Sequence, residues 1–139
     1  MSIREQEKVK EKYYNEAMRY MDNAKECLQK AQKEGNFYNN RKYVKMACGT
    51  AYSGMLVALD GFLTLKDVVL PKGKKRKSIE FYHENLAGLD RKMLNTLNCA
   101  YEVLQFGYYN GITDAIVVKR GFENAYVLID KIKPTEHTS

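Results

Sequence analysis

Apolar positions recur along this chain in steps of three and four almost from end to end. Val9, Tyr13, Ala17, Tyr20, Ala24, Cys27 and Ala31 form a first stripe, widened by Met21 and Leu28. That spacing gathers side chains on one face of an α-helix, so it predicts a helix here. Ser2 and Glu5 stand in S-x-x-E spacing and predict its start as a capping box, with Gly35 as its stop. Asn39 or Asn40 caps a second helix reaching about Leu65. Ile79, Tyr82, Leu86, Leu89, Met93, Leu97, Ala100 and Leu104 then stay in register through Gly88. They predict one long third helix from a Ser78 cap to the break at Asn110-Gly111, with room for a bend at Gly88. Thr113 with Asp114 opens a fourth helix along Ala115, Val118, Phe122, Ala125, Ile129 and Ile132, and Pro134 ends it. No segment shows strand alternation. The expectation is an all-α protein, an antiparallel four-helix bundle over residues 1–133 followed by a polar tail at 134–139.

The second helix stands apart. Within KMACGTAYSGMLVALDGFL, residues 45–63, Ala47, Gly49, Ala51, Ser53, Gly54, Ala58 and Gly61 keep much of the surface small. A glycine inside a helix costs about 0.5–1 kcal/mol relative to alanine, so three of them call for a packing reason. Close approach of neighbouring helices supplies one and makes this the central helix of the bundle.

Composition narrows the picture further. At 139 residues the chain suits one domain with its own core. Charged residues, 29% of the total, are interspersed with apolar ones, which argues against disorder. The charged start, MSIREQEKVKEK, has no apolar core and does not read as a secretory signal. The longest apolar run, 54–65, is broken by Asp60 and is too short to cross a bilayer, so no membrane is expected. Cys27, Cys48 and Cys99 lie on apolar faces and read as reduced core thiols of a cytoplasmic protein. They show no C-x-x-C or C-x-x-H spacing, and neither a metal nor a cofactor is expected. The formal charge of +6 is concentrated: Lys72, Lys74, Lys75, Arg76 and Lys77 account for all but one unit of it. Attraction to polyanions therefore centres on this one loop.

The pattern ACGTAYSGMLVALDGFL resembles the small-residue and tyrosine pattern of the central helix in HEPN-type proteins, a superfamily of helical bundles. The order of parts is similar as well: long helix, small-residue helix, basic loop, long helix, then a final helix after YYNG. The likeness runs from about Tyr13 to Ile132 and is nearest to an uncharacterised bacterial family of short single-domain HEPN-like proteins. It implies diverse activities. Some members cut RNA through an Arg-x4–6-His motif assembled across a dimer interface. Others partner minimal nucleotidyltransferases, and some only bind nucleotides or proteins.

A metal-independent ribonuclease needs a cation near the scissile phosphate and a proton-transfer group. The resemblance implies Arg120 for the cation, yet the motif's histidine positions hold Ala125, Tyr126 and Val127. Tyrosine, with an ordinary pKa near ~10, is a poor proton shuttle at neutral pH. Arg76 and His83 make a second formal match, with six residues between them, at a position unlike the family's. His83 also flanks the apolar stripe beside Tyr82, where a hydrogen-bonded structural histidine is the ordinary expectation. His137 lies in the polar tail. Walker, G-x-G-x-x-G and G-x-S-x-G signatures are missing.

The segment KGKKRK could track a phosphate backbone, or it could simply be a solvated loop. Arg76 and Lys77 stand just before a helix N-terminus, where the dipole disfavours cations, so they do not serve that helix. Eleven tyrosines lie mostly on or beside apolar stripes. Tyr13-Tyr14 and Tyr108-Tyr109 cannot both be buried on one face, and at least one of each pair should reach the surface or a partner. Such tyrosines suit base stacking or a homodimer interface, and the homodimer is the preferred explanation and the expected assembly. The functional expectation is a non-catalytic binding module for nucleotide or RNA. Lys72, Lys74, Lys75, Arg76 and Lys77 supply charge, and Arg120 and Tyr126 lie near the groove that the resemblance implies. The alternatives are a protein-interaction bundle acting as a homodimer, and a divergent ribonuclease using Arg76 and His83.

Overall fold

The computed structural model describes residues 1–71 and 78–135, and five helices with one two-stranded hairpin are found among them. α1 spans Ile3–Ala31, and Ser2 caps its start: the Ser2 hydroxyl oxygen accepts from the Glu5 amide at 3.1 Å. α2 spans Arg41–Leu65 and is capped by the Asn40 side chain, which accepts from the Lys42 amide. α5, Ala115–Asp130, is capped by Asp114, whose carboxylate accepts from Ile116 and Val117. Each cap satisfies backbone donors that the first helical turn leaves unpaired.

Two sequence expectations need correction. The long third helix is two helices, α3 at Ile79–Leu89 and α4 at Arg91–Asn110. Asp90 breaks the run with extended backbone (φ −160°, ψ 100°) and caps α4 by accepting from the Met93 amide at 3.0 Å. The break falls two residues beyond Gly88. It leaves Leu89 exposed, although the stripe placed that residue in the core. Ser78 does precede α3 but makes no side-chain capping bond.

The second correction lies between α1 and α2. α1 ends at Ala31 rather than at Gly35, and Gln32 takes a positive φ of 55°. Antiparallel strands β1 (Lys33–Glu34) and β2 (Phe37–Tyr38) follow, with Gly35 at φ 59° in the turn. Glycine reaches that conformation without steric cost, which explains its place here. The hairpin is tied to the start of α5. The Tyr38 amide donates to the Thr113 carbonyl, and the Ala115 amide donates to the Asn36 carbonyl, both at 2.8 Å.

α2 is the centre of this bundle-like packing, lying against α1 most extensively and also against α4 and α5. Ala47, Cys48, Ala51, Met55, Ala58, Leu59 and Leu63 are fully enclosed along it. Its glycines sit at the close approaches. A Cβ added at Gly54 would stand 2.8 Å from the Tyr20 Cβ and 3.1 Å from the Ala17 carbonyl oxygen. One at Gly61 would stand 2.6 Å from the Tyr13 Cβ, and one at Gly49 would run into the Tyr108 ring. Taken whole, α2 is long and apolar enough to cross a membrane, unlike the shorter run that its sequence suggested. More than half of its apolar stretch is enclosed by its neighbours, as in the core helix of a bundle.

Candidate functional site

α3 docks across α2 and α4 through Tyr82, which is buried and projects its hydroxyl toward α2. That hydroxyl donates to Asp60 Oδ1 at 2.8 Å. Asp60 is the one acidic residue in α2, and its backbone carbonyl also accepts from the Thr64 hydroxyl at 2.8 Å. Burial and the neighbouring Asp60 carboxylate together push the Tyr82 phenol far above its ordinary range. Two helical turns before Asp60 lies Tyr52, half-buried, with its ring 6.0 Å from that of Tyr101 on α4. Burial pushes Tyr52 up to about 12, with Tyr101, Tyr109 and Glu80 adding to the effect.

His83 follows Tyr82 and packs edge-on to Tyr101, the ring centroids 6.2 Å apart at 78°. Its Nε2 is buried and makes no hydrogen bond, contrary to the satisfied structural histidine that its place beside the stripe suggested. A buried polar atom left unpaired costs roughly 1–3 kcal/mol. Three helices thus bring Tyr52, His83 and Tyr101 into one aromatic cluster with a nitrogen free to donate or accept. It sets two phenol rings and an imidazole side by side at the junction of α2, α3 and α4.

The other site residues read from the sequence divide by place. Lys72, Lys74, Lys75, Arg76 and Lys77 lie outside the described residues, as does His137, so the approach of Arg76 to His83 is not described. In the chain, these cations directly precede Ser78 and α3, the helix that carries His83. Arg120 and Tyr126 share α5 but are about 120° apart around it at ~100° per residue, so they face different ways. Arg120 is exposed. Tyr126 turns to α1, where Lys25 Nζ stands 5.1 Å from its ring centroid. The Tyr126 hydroxyl is buried, and Lys25 lies beside the ring. Contact with the tyrosine raises the Lys25 pKa.

Among the described residues no three His, Cys, Asp or Glu side chains come together as metal ligands. The cysteines differ more than their sequence pattern implied: Cys48 is buried, Cys27 half-buried and Cys99 exposed. Sequence reasoning placed Tyr52, Tyr82 and Tyr101 on or beside apolar stripes but gave Asp60 no role. The signal was available in the eight-residue step from Tyr52 to Asp60, which keeps both near one face of α2.

A search of curated proteins finds no match to this chain. Among solved structures, the chain is similar to a protein of unknown function from Dyadobacter fermentans, with 42% identity and a TM-score of 0.76. The likeness covers 88% of this chain and 94% of that one. Residues 12–134 match the domain of unknown function DUF5618, and the chain belongs to that family.

Proposed function

We propose that this protein is a non-catalytic, HEPN-like binding module that takes a nucleotide or RNA. The observation that carries the reading is His83: a buried, unpaired Nε2 beside Tyr101 and Tyr52, on the helix that directly follows five cations in six residues. Cations attract the phosphate and aromatic rings stack the base, each with little demand on sequence. The HEPN-like assignment rests on the order of helices around a small-residue α2. A non-catalytic role is preferred to a divergent ribonuclease because α5 carries Ala125, Tyr126 and Val127 where the cleavage motif needs histidine. The same reading places the protein in the cytoplasm, with a nucleotidyltransferase-type protein as the partner class.

Fluorescence anisotropy of labelled mixed-sequence RNA across a salt series tests this. Neutralising about five phosphates gives a log–log slope of about −3.5 to −4.5. A variant with Lys74, Lys75 and Arg76 changed to serine should flatten that slope. Tyr101→Leu should weaken binding at every salt concentration by about 1–3 kcal/mol per stacked base. No change in anisotropy at low salt would remove the reading and leave the protein-interaction bundle in its place. RNA fragments that vanish with His83→Ala would instead establish the ribonuclease.

A further inference from the structure

α3 is the most lightly held helix of the five. Its enclosed residues are Tyr82 and Leu86 alone, the fewest that any of the helices buries. It packs chiefly against α4, and the polar contact that ties it to α2 is the Tyr82 hydroxyl on Asp60 at 2.8 Å. Isolated helices shorter than about 12–15 residues are marginal in water, and α3 has 11. It is helical because it is docked.

Neither end of α3 is firmly fixed. Ser78 makes no side-chain capping bond at the start. At the other end Ala87, Gly88 and Leu89 are exposed, and nothing lies within 4 Å of where a Cβ on Gly88 would stand. Asp90 then joins α3 to α4 in extended backbone and caps α4 with its own carboxylate. The first turn of α4 therefore keeps its cap whether or not α3 is in place.

We propose that α3 is a flap, hinged at residues 88–90 and latched by Tyr82 on Asp60, that opens as a unit while α1, α2, α4 and α5 stay folded. The closed form is the one described above, with His83 against Tyr101. The open form bares Asp60 on α2 and Tyr101 on α4, with Tyr52 beside Tyr101. Local openings are drawn from the elements that bury least, and α3 is that element here. Access to the aromatic cluster is thus set by an equilibrium between two forms, whatever the cluster binds. The urea transition stays cooperative, because the other four helices pack on one another and melt together. The flap does not rest on the nucleic-acid reading, and its test contains no nucleic acid.

Hydrogen exchange of the full chain, resolved by residue with NMR across sub-denaturing urea concentrations, tests the flap. Without urea, the α3 amides should exchange at least about 100-fold faster than the slowest amides of α2 and α4. They should also share one urea slope, shallower than that of the core, because opening a flap exposes less surface than unfolding the whole molecule. Tyr82→Phe keeps the ring and removes the latch, and it should speed α3 exchange by about 10–100-fold. Amides of α3 that match those of α2 in rate and slope would mean that the helix leaves only on global unfolding, which overturns the proposal. Slopes that differ from one α3 amide to the next, as in fraying, would overturn opening as a unit. Unchanged α3 exchange in Tyr82→Phe would overturn the latch.

Discussion

At the scale of single residues, the Tyr82–Asp60 bond is the best-defined polar contact in the candidate site. Tyr82→Phe keeps the buried ring and removes only the donor to the carboxylate. It should cost about 1.5–3 kcal/mol in urea unfolding, the range for hydrogen bonds to charged groups. Alkaline pH should act on the same cluster. Burial first of all holds Tyr82 and Tyr52 protonated above the ordinary phenol range. Below about pH 10 the folded and unfolded chains both keep these protons, and stability is unaffected. From there upward the unfolded chain releases protons that the fold retains. Stability therefore falls as the pH rises toward about 12, the value at which Tyr52 ionises in the fold. The melting temperature should drop across this window, and Tyr52→Phe should make the drop shallower; an unchanged slope would refute the role of Tyr52. The thiols offer a contrast. Cys48 is buried, and burial pushes it up to about 12, whereas Cys99 is exposed. A maleimide reagent should therefore label Cys99 in the native protein and reach Cys48 only after unfolding. Mass spectrometry of the labelled peptides distinguishes the two.

At the scale of elements, the glycines of the helices have opposite meanings. Gly54 lies where α1 presses on α2, against the Tyr20 Cβ and the Ala17 backbone, neither of which can swing aside. Gly54→Ala gains helix propensity but forces the helices apart, and overpacking of this kind costs about 1–3 kcal/mol. A net loss of roughly 1–2 kcal/mol is expected once the propensity gain is subtracted. Gly88, in the last turn of α3, has nothing within 4 Å of the place where a Cβ would stand. Gly88→Ala should stabilise the protein by about 0.4–1 kcal/mol, largely by restricting the unfolded chain. Chemical denaturation of the two variants side by side checks both signs. Stabilisation by Gly54→Ala would mean that α1 and α2 do not approach as closely as their packing shows.

At the scale of the whole molecule, one continuous core joins the elements. Residues enclosed in it come from all five helices, and α2 contacts α1, α4 and α5 directly. No helix has a separate apolar centre on which to fold alone. Unfolding in urea should therefore be a single cooperative transition. Circular dichroism should report helix loss and tyrosine fluorescence should report core opening, and the chain contains no tryptophan to obscure the latter. The two curves should superimpose, and separate midpoints would contradict a single core.

What the sequence determined by itself was the local logic. Periodic stripes defined the helices, because a 3.6-residue repeat must present one apolar face wherever the chain packs. The caps at Ser2, Asn40 and Asp114 were legible, since a short polar side chain beside the first turn satisfies amides within its own reach. The small residues of α2 announced close neighbours without naming them. Tertiary structure decided which neighbours: Tyr20 at Gly54, Tyr13 at Gly61 and Tyr108 at Gly49. It also decided the break at Asp90, which the unbroken stripe concealed because a one-residue interruption leaves the apolar positions in register. The hairpin at 33–38 has strands of only two residues, too short for alternation to register, and it is held by α5 from across the fold. The His83 cluster was illegible for the same reason. Its rings come from α2, α3 and α4, and only packing places Tyr52, His83 and Tyr101 together. A local pattern records what a residue needs from its own helix, whereas a site depends on distances between helices that only the closed core sets.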